Sequence, residues 1–165
     1  MIFLTVGTLF PFDRLVITID NAILEGFITQ EVFAQIGKTR LKPKNMQYVD
    51  VLDKGRFDQK AADADYLISH AGIGSITMAL ECNKPLLVMP RMKRFKEHIN
   101  DHQVATARKF EQLGHLLAVY CEKELPDKLQ QLWSFIPKPR ENQADAVTDI
   151  IAKFLKLLSE KQISN

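Results

Sequence analysis

Six short runs rich in apolar residues recur along the chain, at residues 2–6, 31–36, 47–51, 66–69, 86–89 and 116–120, and they constrain the fold more than any other feature. Each is four to six residues long, too short for a buried helix, and most are nearly continuous rather than alternating. Such runs suit strands covered on both faces, hence a parallel sheet. Parallel strands need crossover connections, and the segments between the runs supply them. Asp13 is placed to cap a helix over residues 14–24, whose Leu15, Val16, Ile19, Ile23 and Leu24 share one face. Further helices are expected at 57–64, from the segment ending at Ser75 to about residue 82, at 101–113 with Gly114 as its stop, at about 123–134 and at about 143–161. The alternation predicts an α/β fold with a doubly wound, Rossmann-like parallel sheet.

At 165 residues the chain suits a single domain, and its 46% hydrophobic content is enough for one good core. A formal net charge of only +2 and the lack of any basic–aromatic cluster argue against nucleic acid as a partner. No run approaches the ~20 apolar residues of a membrane span. Residues 1–10 carry neither a positive leader segment nor a small-residue cleavage site, so they are read as the first strand rather than a signal peptide. The expectation is a cytoplasmic chain in which Cys82 and Cys121, far apart and without metal-ligand spacing, are free thiols.

In an open α/β sheet ligands bind beyond the carboxyl ends of the strands, near the point where strand order reverses. Three segments belong there: Val6-Gly7-Thr8, His70-Ala71-Gly72-Ile73-Gly74-Ser75, and residues 90–103. In the second, Gly72 and Gly74 permit a tight turn and close backbone approach. The helix start that follows offers free N–H groups and the positive end of its dipole to a phosphate. The same spacing also describes a plain turn in which Ser75 caps a helix. It is not the dinucleotide fingerprint, because Thr77 stands at the third glycine position and the motif follows the fourth strand. Asn100 and Gln103 have the spacing of a capping box, yet the helix start at Asn100-Asp101-His102-Gln103 can also offer amides and a carboxylate to sugar hydroxyls. His98 and His102 are four apart, but Ile99 stands where a zinc helix would need glutamate, so no metal site is expected. Arg91, near a phosphate cleft, is placed to neutralise a leaving diphosphate.

Taken in order, residues 1–8 (MIFLTVGT) with Phe12-Asp13-Arg14-Leu15, then Ser69 to Ser75, Lys84-Pro85, Val88 to Arg91, Glu97-His98 and Asn100 to Gln103 resemble glycosyltransferase family 28. More narrowly they resemble the PssE-type subunits of bacterial exopolysaccharide assembly. Those are similar to the soluble catalytic subunit of the eukaryotic two-component N-glycan GlcNAc transferase. The resemblance implies the donor-binding half of a GT-B fold, a UDP-sugar donor, inversion at the anomeric carbon, no cofactor and no essential metal. It also implies a lipid-linked saccharide acceptor and a membrane-anchored partner subunit that recruits the chain to the inner face of the cell membrane.

Carried over by residue, Gly72, Gly74 and Ser75 match the loop that faces the diphosphate, and Asp101 and Gln103 match a pair near the donor sugar. Gly7 and Thr8 match the loop lining the cleft. Met78 stands where many such domains place an acid for the ribose hydroxyls, and Glu81, one turn on, is the nearest carboxylate. Transfer needs a base and a stabilised leaving group. His98 and His102 are the candidate bases, the partner is another source, and His70 either binds substrate or supports the strand end. A noncatalytic nucleotide-binding or scaffolding subunit is the alternative reading. A dehydrogenase is disfavoured because no G-x-G-x-x-G follows the first strand. The apolar stripe Val147, Ile150, Ile151, Phe154, Leu155, Leu158 on the helix at 143–161 suits either cover for this domain's own sheet or docking, and the resemblance to two-subunit enzymes implies a docking element for the partner.

Overall fold

The computed structural model describes residues 1–139. Its six strands are β1 (Ile2–Thr5), β2 (Val32–Gln35), β3 (Gln47–Val49), β4 (Tyr66–His70), β5 (Leu86–Met89) and β6 (Leu117–Ala118). All pair in parallel, in the order β3-β2-β1-β4-β5-β6. Ile2 pairs with Val32 on one side and Tyr66 on the other, so strand order reverses between β1 and β4. The helices are α1 (Asp13–Leu24), α2 (Lys54–Asp63), α3 (Ile73–Glu81), α4 (His102–Gln112) and α5 (Leu125–Leu132).

The pleat sends successive strand residues to opposite faces, and each face has its own core. Ile2, Leu4, Val6 and Ile68 pack with Leu15, Val16 and Ile19 of α1 and Leu125, Leu129 and Leu132 of α5. Phe3, Leu67, Leu86 and Val88 pack with Ala61 of α2, Ile76 and Ala79 of α3 and Ala107 of α4. Phe3 is fully buried, with its ring edge-on to Phe57 at 5.3 Å between centroids. Each such side chain contributes roughly 1.5–3 kcal/mol by leaving water. This is a doubly wound, Rossmann-like α/β fold.

Several element ends differ from expectation for identifiable reasons. Asp13 does not cap α1: Phe12 is the capping residue, and the Asp13 carboxylate accepts from the backbone N–H groups of Arg40 and Leu41. α2 starts at Lys54, ahead of residue 57, because Asp53 caps it by accepting from Arg56 N. Nor does Ser75 cap α3, where Gly72 holds that position without a side-chain bond. No capping box joins Asn100 and Gln103, since Asp101 is the capping residue of α4 and makes no side-chain cap bond. A 3-10 turn (Glu122–Glu124) precedes α5. The helix expected at 143–161 lies outside the described residues.

Candidate functional site

A cleft of about 740 Å³ opens above the switch point, walled by the loops after β1 and β4, α3, and the start of α2. Gly7, Thr8, His70, Gly74 and Ser75 line it. A smaller cavity of about 210 Å³ adjoins it and shares Gly7, Thr8 and His70. Its other walls are Arg91, His98 and Gln103 with the loop from Val6 to Phe10. His70, with Gly7 and Thr8, therefore lies between the two spaces.

The glycines divide their roles in a way that the motif does not show. A side chain at Gly72 would collide with His70 Nε2, and one at Gly7 would reach His70 Cε1 at 3.0 Å. Gly7 also holds a left-handed φ of 74°. These two glycines make room for the imidazole. Gly74 faces open space on the cleft wall and leaves the first turn of α3 uncovered toward the cleft.

His70 is held from behind. The Ser69 hydroxyl donates to Thr5 O at 2.9 Å, so its oxygen is left to accept from His70 Nδ1 at 3.2 Å. That fixes the proton on Nδ1 and leaves the Nε2 lone pair free. Burial, then the nearby Arg91 charge, push the His70 pKa down to about 4, with the Thr5 backbone opposing. The ring is neutral in the folded protein where an unfolded histidine would begin to protonate. The resulting stability is present above pH 6.5 and lost as pH falls toward 4. Its size is on the order of 2 kcal/mol. Melting curves between pH 7 and 4.5 should show this loss, and His70→Gln should flatten it.

Arg91 is not a mobile cation for a leaving diphosphate. It is 3% exposed, donates through Nη2 to Val6 O and Phe10 O at 2.7 Å each, and stacks over Phe12 at 4.8 Å. It shapes the loop after β1, while its Nε is buried without a partner. Gln103, 4% exposed, accepts from Arg91 N through Oε1 at 3.1 Å. Replacing Gln103 with alanine orphans that buried N–H and should cost about 1–3 kcal/mol in chemical denaturation. Gln103→Glu keeps the acceptor and should cost less.

His98 Nδ1 is buried and unpartnered, and its ring packs against Phe10 and His102. Burial, His102 and Arg91 together lower its pKa, so it is a neutral proton acceptor beside the small cavity. His102, Asn100 and Asp101 line neither space. Asn100 Oδ1 accepts from His102 N and approaches its Nδ1, while Asp101 accepts from Lys93 N. Asp101 instead borders a separate hollow with Arg94 and Arg108.

The cleft also takes in Gln35, Lys54, Phe57, Asp58, Met78 and Glu81, of which only the last two stood out in the sequence. Lys54 and Asp58 form a pair at i, i+4 that resembles any exposed helix pair. Gln35 is buried at the end of β2, bonded to Thr5 Oγ1 and to Leu52 N. No local motif marks these residues, because the sheet order alone brings them to the cleft. Among the described residues no group of three or more His, Cys, Asp or Glu is placed to hold a metal ion.

In a doubly wound sheet the switch point is where ligands bind, and here a helix start opens on a cleft at that point. The chain belongs to the glycosyltransferase family 28 C-terminal domain family, which it matches over residues 1–161. It is 34% identical over 128 residues to the UDP-N-acetylglucosamine transferase subunit ALG13 of Mus musculus, covering 72% of this chain and 10% of that protein. The human protein of the same name is 31% identical over 129 residues, covering 73% of this chain and 11% of that protein. The chain thus spans about a tenth of the length of these curated relatives. In fold it is similar to a kitacinnamycin glycotransferase, at TM-score 0.61 and 19% identity over 81% of this chain and 34% of that one. An NMR structure of ALG13 aligns at TM-score 0.56 and 22% identity, over 84% of this chain and 87% of that one. Acinetobacter baumannii MurG aligns at 0.56 and 18%, over 92% of this chain and 49% of that one.

Proposed function

We propose that this chain is the donor-binding subunit of a two-component glycosyltransferase that takes a UDP-sugar and is completed by a membrane-anchored partner. The observation that carries the reading is the start of α3, open at Gly74 onto the 740 Å³ cleft at the switch point. Backbone N–H groups and a helix dipole there suit a diphosphate. The nucleoside then extends toward Lys54 and Glu81, and the sugar toward His98 and Gln103 in the small cavity. Support for a UDP-sugar and for a subunit role comes from the names of the ALG13 relatives. The acceptor, a lipid-linked saccharide of exopolysaccharide or capsule assembly, and a hexose as the transferred sugar rest on the motif resemblance.

In this reading an acceptor hydroxyl oxygen attacks the anomeric carbon from the face opposite the diphosphate. The bond from that carbon to the phosphate oxygen breaks, and the configuration inverts. The negative charge on the departing UDP is met by the N–H groups of α3. The acceptor proton passes to a neutral imidazole, for which His98 beside the small cavity is the candidate, or to a base of the partner. The test is transfer of labelled sugar from UDP-sugars to a lipid fraction, with this chain, the partner's membranes, and both. Product should form only with both. Product from the partner's membranes alone would make this chain a noncatalytic accessory.

A further inference from the structure

The hollow that borders Asp101 shares no wall residue, among the described residues, with the cleft or with the small cavity beside it. It encloses about 360 Å³, the size of a small-molecule site. The loop after β5 supplies Met92 and Arg94 to its wall, and α4 with the turn after β6 supplies Val104, Arg108 and Tyr120. Neither arginine is in an ion pair among the described residues. Each lies over a ring instead, Arg94 over Phe95 at 4.7 Å and Arg108 over Tyr120 at 5.7 Å. Stacking holds a guanidinium in place and leaves its N–H edge unused. The acids nearby are committed elsewhere. Asp101 accepts from Lys93 N at 2.8 Å. Glu111 accepts from Lys128 Nζ at 2.8 Å and from the Tyr120 hydroxyl at 3.1 Å. The wall therefore carries two cations against one carboxylate, with apolar surface from Met92, Val104 and the Tyr120 ring.

We propose that this hollow is a second ligand site, which takes a soluble phosphate monoester about the size of a sugar phosphate, with Arg94 and Arg108 on its phosphoryl oxygens. Two planar guanidinium forks suit an oxyanion. The apolar part of the wall suits the carbon body of an ester, and a bare phosphate would leave that part uncovered. The site is also connected to the donor cavity. Asp101 and Glu97 bond back to the N–H groups of Lys93 and Met92, so the loop after β5 is closed on itself at the edge of the hollow. A ligand bridging Arg94 and Arg108 clamps that loop to α4, and the same loop carries His98 to the small cavity.

The test is backbone-amide NMR of the full chain titrated with glucose 6-phosphate, with glucose and inorganic phosphate as controls. Glucose 6-phosphate should move the signals of residues 92–94, 101–108 and 120 and leave those of residues 70–78 in place. That pattern separates this site from the donor cleft whether or not UDP binds there. Glucose should move none of them, and inorganic phosphate should bind more weakly than the ester. The variant R94Q/R108Q should weaken binding at least about tenfold at an unchanged melting temperature, because both side chains are exposed and unpaired among the described residues. No shift with glucose 6-phosphate, shifts confined to residues 70–78, or undiminished binding by the variant overturns the proposal. Inorganic phosphate binding as tightly as the ester overturns it too. Capture of the wild type but not the variant by phosphatidic acid vesicles, with no response to glucose 6-phosphate, would also overturn it and make the ligand a lipid phosphate.

Discussion

Replacing Gly74 with valine should leave the fold intact and weaken UDP binding by roughly ten- to a hundredfold. The α3 position has no neighbour within 4 Å of an added Cβ, so no packing opposes the new side chain. Valine also has a better helix propensity than glycine. The branched side chain would stand in front of the first-turn N–H groups and keep phosphate oxygens out of hydrogen-bond range. Losing one charge-assisted bond of about 1.5–3 kcal/mol gives the stated loss. Gly72→Ala is the contrasting variant, because its methyl collides with His70 and must move the imidazole or the turn. Titration calorimetry with melting curves separates them: Gly74→Val loses ligand at unchanged stability, and Gly72→Ala loses stability.

Replacing Arg14 with methionine should destabilise the fold by about 3 kcal/mol, the cost of leaving a buried charge unpaired. Arg14, on the first turn of α1, grips Glu97 with Nε at 2.6 Å and Nη2 at 2.8 Å. It also donates to Pro90 O and reaches Glu122, and its guanidinium stacks on Phe95 at 4.6 Å. The side chains of Arg14 and Glu97 are 12% and 9% exposed. Glu97 in turn accepts from Met92 N, so the fork pins the whole loop after β5 to α1. At about 2–4 °C per kcal/mol for a chain of this size, the melting temperature should fall by roughly 6–12 °C. Arg14→Met with Glu97→Met should be less damaging than Arg14→Met alone, because no carboxylate is left stranded. A double variant equal to the sum of the singles would mean that the pair contributes nothing as a pair.

The central strands were legible in the sequence because burial on both faces makes them nearly uninterrupted apolar runs, as in Leu86–Met89. Edge strands were less so. Gln47–Val49 has only one neighbour and is largely exposed, and the β6 ladder closes after Leu117–Ala118, short of the 116–120 run. The capping residue of α1 was misassigned because the Asp13 carboxylate serves a loop some 27 residues away. The glycine loop was recognisable, but its division of labour was not. Gly72 is required by the orientation of His70, which depends on Ser69 bonding across to Thr5 on another strand. Arg91 read as a cation in a charged loop, yet it is buried by carbonyls 81 and 85 positions away. Such long-range pairings leave no local spacing to detect.

The most direct measurement of the donor-site account is calorimetric titration of the purified full chain with UDP and with NAD under identical conditions, repeated on Gly74→Val. The account predicts that UDP binds in preference to NAD and that Gly74→Val weakens UDP binding by roughly ten- to a hundredfold. Equal or tighter binding of NAD, or UDP binding that survives Gly74→Val undiminished, would contradict it.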